Sequence, residues 1–253
     1  MDFEIIKIGG SVITDKSGFE AARLAEIKSI SKTLAAHFKK GNRFVLVLGA
    51  GSFAHPHVLK YGLSGKVSSP AQLEGVQHIH KSVAALAGMV AKELEKHGCK
   101  CVYCPAGSLA TLHMKNIASF GMAPLMHALA EGKIPITIGD MVADDALGYA
   151  PLSGDKILAN AGQGAVRAML VSDTAGVMAG GKTIPCITRT NFLDLESHLG
   201  GSKNTDVTGG MRGKVLELLE MESPAIILSC GKNCANLELA LAGKECVGTR
   251  INC

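Results

Sequence analysis

The sequence predicts an α/β fold built on an open, mainly parallel sheet, and three observations carry that prediction. Short apolar runs of strand length alternate with longer stretches of helical periodicity along the chain. One run, Phe44 to Leu48, is apolar without interruption, as interior strands of a parallel sheet are. Several runs end in glycine turns, the place where open α/β sheets take their ligands.

The first run, Phe3 to Ile8, contains Lys7 and is stopped by Gly9-Gly10-Ser11, with Lys16 just past the turn. A lysine inside an apolar strand needs an anionic partner, because an unpaired buried ammonium is costly. A phosphate chain would serve, and paired glycines let bare backbone approach it. Taken alone, the pair is equally an ordinary strand-ending turn with Lys7 on a solvated edge. The stretch is not a P-loop, since no Gly-x-x-x-x-Gly-Lys-Ser/Thr occurs. Nor is it the dinucleotide fingerprint, which needs a third glycine and a helix that opens at once.

Leu24, Ile27, Leu34 and Phe38 then recur at helical spacing within Glu20 to Lys40, closed by Gly41-Asn42. The strand Phe44 to Leu48 ends in a second glycine turn, Gly49-Ala50-Gly51-Ser52-Phe53-Ala54-His55-Pro56. Pro70 to His97 reads as one long helix, with small residues at Ala84, Ala85, Ala87 and Gly88. It carries His78 and His80, which two-residue spacing keeps off a common face and which are expected at the surface or a pocket rim. Lys100 to Cys104 is a strand, Ala123 to Glu131 a short helix, Ile134 to Ile138 a strand, and Met141 to Tyr149 a hairpin around Asp144-Asp145. Ser153 or Asp155 can cap a helix running from about Lys156 to Gln163.

Val166 to Ser172 is the next buried strand, and it ends in the turn Asp173-Thr174-Ala175-Gly176. Farther on, Asn204 to Lys214 leads into a helix with Val215, Leu218 and Leu219 on one face; Thr208 or Asp206 is its expected cap. The glycines there expose N–H groups suited to an anion. Lys214 is expected in the first turn, where a cation opposes the helix dipole and asks for a reason beyond structure. Ala225 to Ser229, a helix around Ala235 to Ala242, and Cys246 to Ile251 complete the alternation.

Composition narrows the class. With 253 residues, 47% of them hydrophobic and 19% charged, the chain suits one large domain or two closely associated lobes. Its net charge of +4 comes from 26 basic and 22 acidic residues spread along the sequence, which suits small anionic ligands and argues against nucleic acid. The apolar runs are too short to cross a membrane and the start carries Asp2 and Glu4 in place of a basic leader, so a cytoplasmic protein is expected. The eight cysteines do not form a disulfide scaffold, and reduced thiols are expected. Cys99, Cys101 and Cys104 loosely mimic a metal set. On a strand, however, Cys99 and Cys101 share one face and Cys104 takes the other, and no second Cys-x-x-Cys follows, so they read as small buried hydrophobes.

Four motifs in order resemble the amino acid kinase superfamily, and within it most closely the isopentenyl phosphate kinases. They are Lys-x-Gly-Gly-Ser at Lys7, Gly-x-Gly-Ser-Phe-x-His at Gly49, Ser-Gly-Asp at Ser153, and Asp-Val-Thr-Gly-Gly-Met-x-Gly-Lys at Asp206. The resemblance runs to Gly248-Thr249-Arg250-Ile251. It implies a three-layer αβα sandwich and a single domain, 1–253, whose residues 1–165 hold the phosphate acceptor and 166–253 hold ATP. It also implies transfer of the ATP γ-phosphoryl group to isopentenyl phosphate, in an alternative mevalonate route. By the same resemblance Lys7, Ile8, Gly9, Gly10, Ser11, Gly51, Asp173, Gly210 and Lys214 belong to the ATP site, and Ala50, His55 and Gly154 to the acceptor site. Lys16 matches the residue that stabilises the transition state, and His55 the one that holds the acceptor's phosphate. The long helix, Pro70 to His97, is then either the floor of the acceptor's tail pocket or a homodimer seam.

The chemistry agrees with these assignments. Phosphoryl transfer asks for positioning and for cations around the equatorial oxygens, which Lys7, Lys16 and Lys214 can supply. An acceptor that is itself a phosphate needs no carboxylate base, so Asp155 is expected to hold a lysine, or simply to cap its helix. Mg²⁺ bound to the nucleotide is expected from the reaction class, with few protein ligands, and no metal residue is named. Three departures stand out: Leu48 where relatives often carry His, Ala54 for Gly before His55, and Ala175 for the second Asp of Thr-Asp-Val-Asp-Gly. The alternatives are a fosfomycin-type phosphonate kinase, a kinase with a carboxylate acceptor, and a non-catalytic ATP-responsive protein on the same scaffold.

Overall fold

The computed structural model describes residues 1–196, 210–221 and 223–253. In chain order, β1 (Glu4–Ile8) runs into a one-turn helix α1 (Gly10–Ile13), then α2 (Leu24–Lys39) and β2 (Phe44–Leu48). A 3-10 turn at Gly51–Phe53 leads to α3 (His55–Lys60), followed by the long α4 (Pro70–Lys96) and β3 (Cys101–Tyr103). Next come β4 (Ala110–His113), β5 (Asn116–Phe120), α5 (Ala123–Ala130), β6 (Ile134–Ile138), β7 (Asp140–Asp144), β8 (Gly148–Leu152), α6 (Gly154–Ala161) and β9 (Arg167–Ser172). The chain ends through the short strands β10 (Met178–Ala179), β11 (Lys182–Thr183) and β12 (Cys186–Ile187), then α7 (Phe192–Glu196), α8 (Gly210–Leu219), β13 (Ala225–Ser229), α9 (Ala235–Leu241) and β14 (Gly248–Ile251).

Over the described residues the main sheet has the order β12-β14-β13-β9-β1-β2-β6-β3. Its pairs are parallel except β13 with β14. Strands that begin at Arg167 or later fill one end of the sheet and the earlier strands fill the other. Side chains alternate between two cores, as the pleat requires. Ile6, Ile8, Leu46, Leu48, Ile136 and Val171 join α2, α4 and α9 on one face. On the other face Ile5, Val45, Val47, Leu170 and Ile227 join α5, α6 and α8. The three-layer αβα expectation holds, and Leu48 is fully buried on the α2/α4 face.

Local signals explain the helix limits. Ser69 and Gln72 form a capping box at the start of α4, with Pro70 in its first turn. Ser153 is the N-cap of α6, its Oγ accepting from Lys156 N at 3.2 Å. The hairpin read around Asp144-Asp145 is β7–β8, but it belongs to a separate sheet ordered β5-β4-β7-β8 whose β4–β5 hairpin the sequence reading missed. The cysteine faces are as expected: Cys99 and Cys101 pack in the core with α4, Cys104 in the opposite one.

Three expectations are corrected. A helix does open at the first glycine turn, since α1 starts at Gly10. Lys214 is the fifth residue of α8 and so lies in its second turn, away from the dipole's positive end; the caps read at Asp206 and Thr208 lie outside the described residues. The thiols are not all reduced, because Cys186 and Cys253 form a disulfide. The pairing of β12 with β14, extended by Asn252 N donating to Ile187 O, brings two cysteines 67 residues apart to a Cα separation of 6.4 Å, within bridging range.

At the N-terminal edge of the sheet, Glu4 binds together three elements. Its carboxylate accepts from Arg167 Nε at 2.9 Å and Nη2 at 2.6 Å, and meets His37 Nε2 of α2 at 3.0 Å. Arg167 also donates to the carbonyls of Ala240 and Leu241 that end α9, each at 2.8 Å. Burial pushes the Glu4 carboxyl up, but the His37 and Arg167 bonds outweigh it and hold it below its ordinary 4.5. Removing one partner of such a buried network costs about 3 kcal/mol. Glu4→Gln should therefore lower the unfolding free energy at pH 7 by roughly that amount. A depressed carboxylate loses its contribution as pH falls through its folded pKa, so the gap between variant and wild type should close below pH 4.5. Urea unfolding at pH 7 and below 4.5 checks both.

Candidate active site

The parallel register fixes where the strand ends meet. Ile8 lies opposite Leu48 and Val171, Leu48 opposite Ile138, and Ser172 opposite Ser229. The turns that follow therefore form one row: Asp173, Gly9-Gly10, Gly49-Gly51 and Gly139. Adjacent turns are tied by backbone bonds, Gly9 N to Val171 O and Gly49 N to Ile8 O at 2.8 Å, and Gly139 N to Leu48 O at 3.1 Å.

Glycine is needed because these turns touch backbone to backbone. A Cβ on Gly10 would meet Gly51 N at 2.7 Å and Gly51 Cα at 2.8 Å. Gly51 has φ +52°, in the left-handed region, and a Cβ there would run into Thr14 Oγ1. Thr14 closes the contact by donating to Gly10 O at 2.7 Å and accepting from Ser52 N at 3.2 Å. Sequence reasoning passed over Thr14 and Ser52; nothing in their local pattern marks a partner 38 residues away.

Lys7 points from β1 toward α6 and is only 3% exposed. Its Nζ meets Asp155 Oδ1 at 2.5 Å, so the expected anionic partner is a carboxylate of the chain, and Asp155 grips a lysine while Ser153 does the capping. Gly154 makes room for this pair, because a Cβ there would lie 3.1 Å from Lys7 Cε and 2.9 Å from Leu48 O. The start of α6 thus sits over the ends of β1, β2 and β6.

Lys16 stands on the loop after α1 and meets Asp173 Oδ2 at 3.3 Å. Burial would push the Asp173 carboxyl up, but the Lys16 ammonium and donors that include the Ser11 hydroxyl hold it below its usual value. Ser11, Lys16 and Asp173 therefore share one corner. His55 opens α3, exposed, directly after the Gly51–Phe53 turn, with Ala50 buried behind it. Ile8 lies beneath the row, buried, its carbonyl accepting from Gly49 N.

α8, which packs against α6, carries Lys214. One helical turn beyond it, Glu217 is raised chiefly by burial and feels the charges of Lys156 and Asp155. Lys214 Nζ lies 3.4 Å from Gly210 O, one turn back on the same helix. Among the described residues no three metal-ligating side chains converge. The edge thus offers cations, glycine-exposed backbone and two carboxylates each engaged by a lysine, a set suited to phosphate chains.

The sequence profile of the amino acid kinase family matches residues 2–228. The chain belongs to the amino acid kinase family. Among the relatives of this amino acid kinase, the isopentenyl phosphate kinase of Haloferax volcanii is 35% identical over 228 residues, 89% of this chain and 90% of that one. The isopentenyl phosphate kinase of Methanothermobacter thermautotrophicus is 30% identical over 264 residues, covering 98% of each chain. A crystal structure of an isopentenyl phosphate kinase superposes on 99% of this chain and 100% of its own with a TM-score of 0.82 at 26% identity.

The backbone contact between the two glycine turns of this kinase can be tested directly. Gly10→Ala should destabilise by about 2 kcal/mol, since the added methyl meets backbone that cannot swing aside. Gly107→Ala, at an exposed position where the methyl meets nothing within 4 Å and φ is not positive, should be neutral or stabilise by up to about 1 kcal/mol. Equal urea midpoints for the two variants would contradict the contact.

Proposed function

We propose that this amino acid kinase transfers the terminal phosphoryl group of ATP to isopentenyl phosphate, releasing ADP and isopentenyl diphosphate. One juxtaposition carries the reading: the Gly9-Gly10 turn, the Gly49-Gly51 turn and Asp173 stand side by side at the sheet edge, in a chain whose end-to-end relatives bear that activity in their names. On this reading ATP lies over the half built from residues 166–253, with Ser11 and the Gly9-Gly10 turn at its phosphates and Lys214 and Gly210 beside it. The acceptor lies over the half built from residues 1–165, its phosphate held by His55 against Ala50 and Gly154. Lys7 and Lys16 flank the transferring group, and Asp155 keeps Lys7 in place.

The acceptor's own phosphate, with a second pKa of about 6, is largely dianionic at neutral pH. Its oxygen attacks the γ-phosphorus without a base, and the bond to the ADP oxygen breaks as the new one forms. Ammonium groups around the three equatorial oxygens stabilise that passage. Mg²⁺ would come with the nucleotide, held by phosphate oxygens and water, because Asp155 and Asp173 are each engaged by a lysine; it supplies charge shielding between the phosphates. No helix of the described residues is long and apolar enough to cross a membrane. We assign the kinase to the cytoplasm, as a homodimer whose seam is the exposed Ala85, Gly88 and Met89 face of α4.

ADP release measured with isopentenyl phosphate, fosfomycin, acetylglutamate and uridine monophosphate offered separately should give by far the highest kcat/KM for the first. Preference for fosfomycin would make the chain a phosphonate kinase, and inactivity on all four with normal ATP binding would make it a non-catalytic binder. His55→Ala should lower acceptor turnover by about a hundredfold while the KM for ATP stays put, whereas Lys214→Ala should raise the KM for ATP. The reverse pattern would exchange the two half-sites.

A further inference from the structure

The loop that carries Lys16 is held from beneath by a pair the phosphoryl-transfer reading does not use. Residues 15–21 form a closed excursion, pinched at its base by the Thr14 to Ala22 bridge and by Asp15 N donating to Ala21 O at 2.8 Å. Asp15 accepts from the N–H and hydroxyl of Ser17 at 3.0 and 2.8 Å, which folds the chain around Lys16. The far side of the loop is sewn to the second glycine turn: Glu20 N donates to Ser52 O at 3.1 Å and Ala21 N to Ser52 Oγ at 3.2 Å.

Glu20 is unusual in two respects. Its φ of 49° lies in the left-handed region, where a glutamate is strained. Its carboxylate meets His57 Nε2 at 2.6 Å, and the His57 side chain is only 7% exposed. A carboxylate can only accept, so Nε2 carries the proton and donates. His57 Nδ1 is buried and finds no partner among the described residues, so the Glu20 bond is what the ring makes of its polarity. The ring is clamped between Phe19, with centroids 4.7 Å apart, and Tyr61, nearly parallel at 6.3 Å; Tyr61 is anchored in turn to His78 Nδ1 at 2.7 Å.

His57 belongs to α3, the helix that opens with His55. We propose that the Glu20–His57 pair is a positioning device for phosphoryl transfer, which locks the Lys16 loop to the α3 helix so that Lys16 stays at the transferring group beside the acceptor phosphate. The proposal rests on the kinase reading and assigns positioning residues that act through Lys16. A strained backbone at Glu20 persists because Ser52 and His57 hold both sides of it, and a loop released from them would relax and carry Lys16 away.

The test is steady-state kinetics with isopentenyl phosphate and ATP. His57→Phe keeps the ring between Phe19 and Tyr61 and removes the donor. It should lower kcat on the order of tenfold, since small displacements of a catalytic group have effects of that size, and should leave the KM for ATP and the melting temperature nearly unchanged. His57→Gln, whose amide can donate to Glu20, should recover most of the loss. Glu20→Gly removes the carboxylate and the backbone strain together, and should match His57→Phe. In a Lys16→Ala background His57→Phe should cost nothing further, because the pair acts through the lysine it holds. Wild-type kcat in His57→Phe, or an undiminished penalty in the Lys16→Ala background, overturns the positioning role while leaving the kinase reading intact. A wild-type chain that does not turn over isopentenyl phosphate overturns both.

Discussion

A buried ammonium at the end of the central strand sets the arrangement of the rest. Lys7 lies between β9 and β2 with almost no access to water, and desolvation would make it untenable without an anion at contact distance. Asp155 supplies the anion from 148 residues away, and in doing so places the start of α6 directly over the ends of β1, β2 and β6. Any shift of α6 would part the charges, so the helix has one position. α8, the helix that carries Lys214, packs in turn against α6.

The two edges of the sheet divide the labour. At the N-terminal edge, Glu4, His37 and Arg167 tie β1, α2, β9 and α9 together with short charge-assisted bonds. At the C-terminal edge the corresponding contacts are between bare backbones, Gly10 against Gly51 and Gly139 against the start of α6. Gly9 N, Gly49 N and Gly139 N each donate to a neighbouring strand end, so what these glycines offer an anion of several phosphates is close backbone approach with no Cβ in the way. The sheet is held firmly at one edge, and the other is left open for a ligand.

Much of this was legible because it is periodic. Phe44 to Leu48 reads as an interior strand, and every one of its residues is buried. The second hairpin, β4 with β5, was not legible: Ala110-Thr111-Leu112-His113 buries only alternate residues, and β5 has no fully buried residue at all, so neither stands out as an apolar run. The disulfide escaped for a different reason, since Cys186 and Cys253 meet only through the β12–β14 pairing, which no spacing along the chain encodes. Of the site, the glycine turns and the lysines were visible as motifs. Their mutual contacts were not, because they depend on register between strands far apart in sequence.

Histidine spacing shows how a local rule acquires meaning only with its surroundings. Two residues along an α-helix turn the direction by about 200°, so a His-x-His pair must face opposite ways. On α4 the rule sends His78 to Tyr61 and His80 to Asp140, whose bond to Nδ1 at 2.8 Å holds the His80 imidazole above its ordinary value despite burial. On α3 the same spacing, read in the sequence only as a motif ending, leaves His55 exposed and turns His57 inward to Glu20. A six-residue helix between a glycine turn and a tyrosine thereby presents one imidazole to solvent while the other fixes the helix to the neighbouring loop. The exposed histidine can be held at a defined distance from Lys16 because the buried one is fastened to the loop on which that lysine stands.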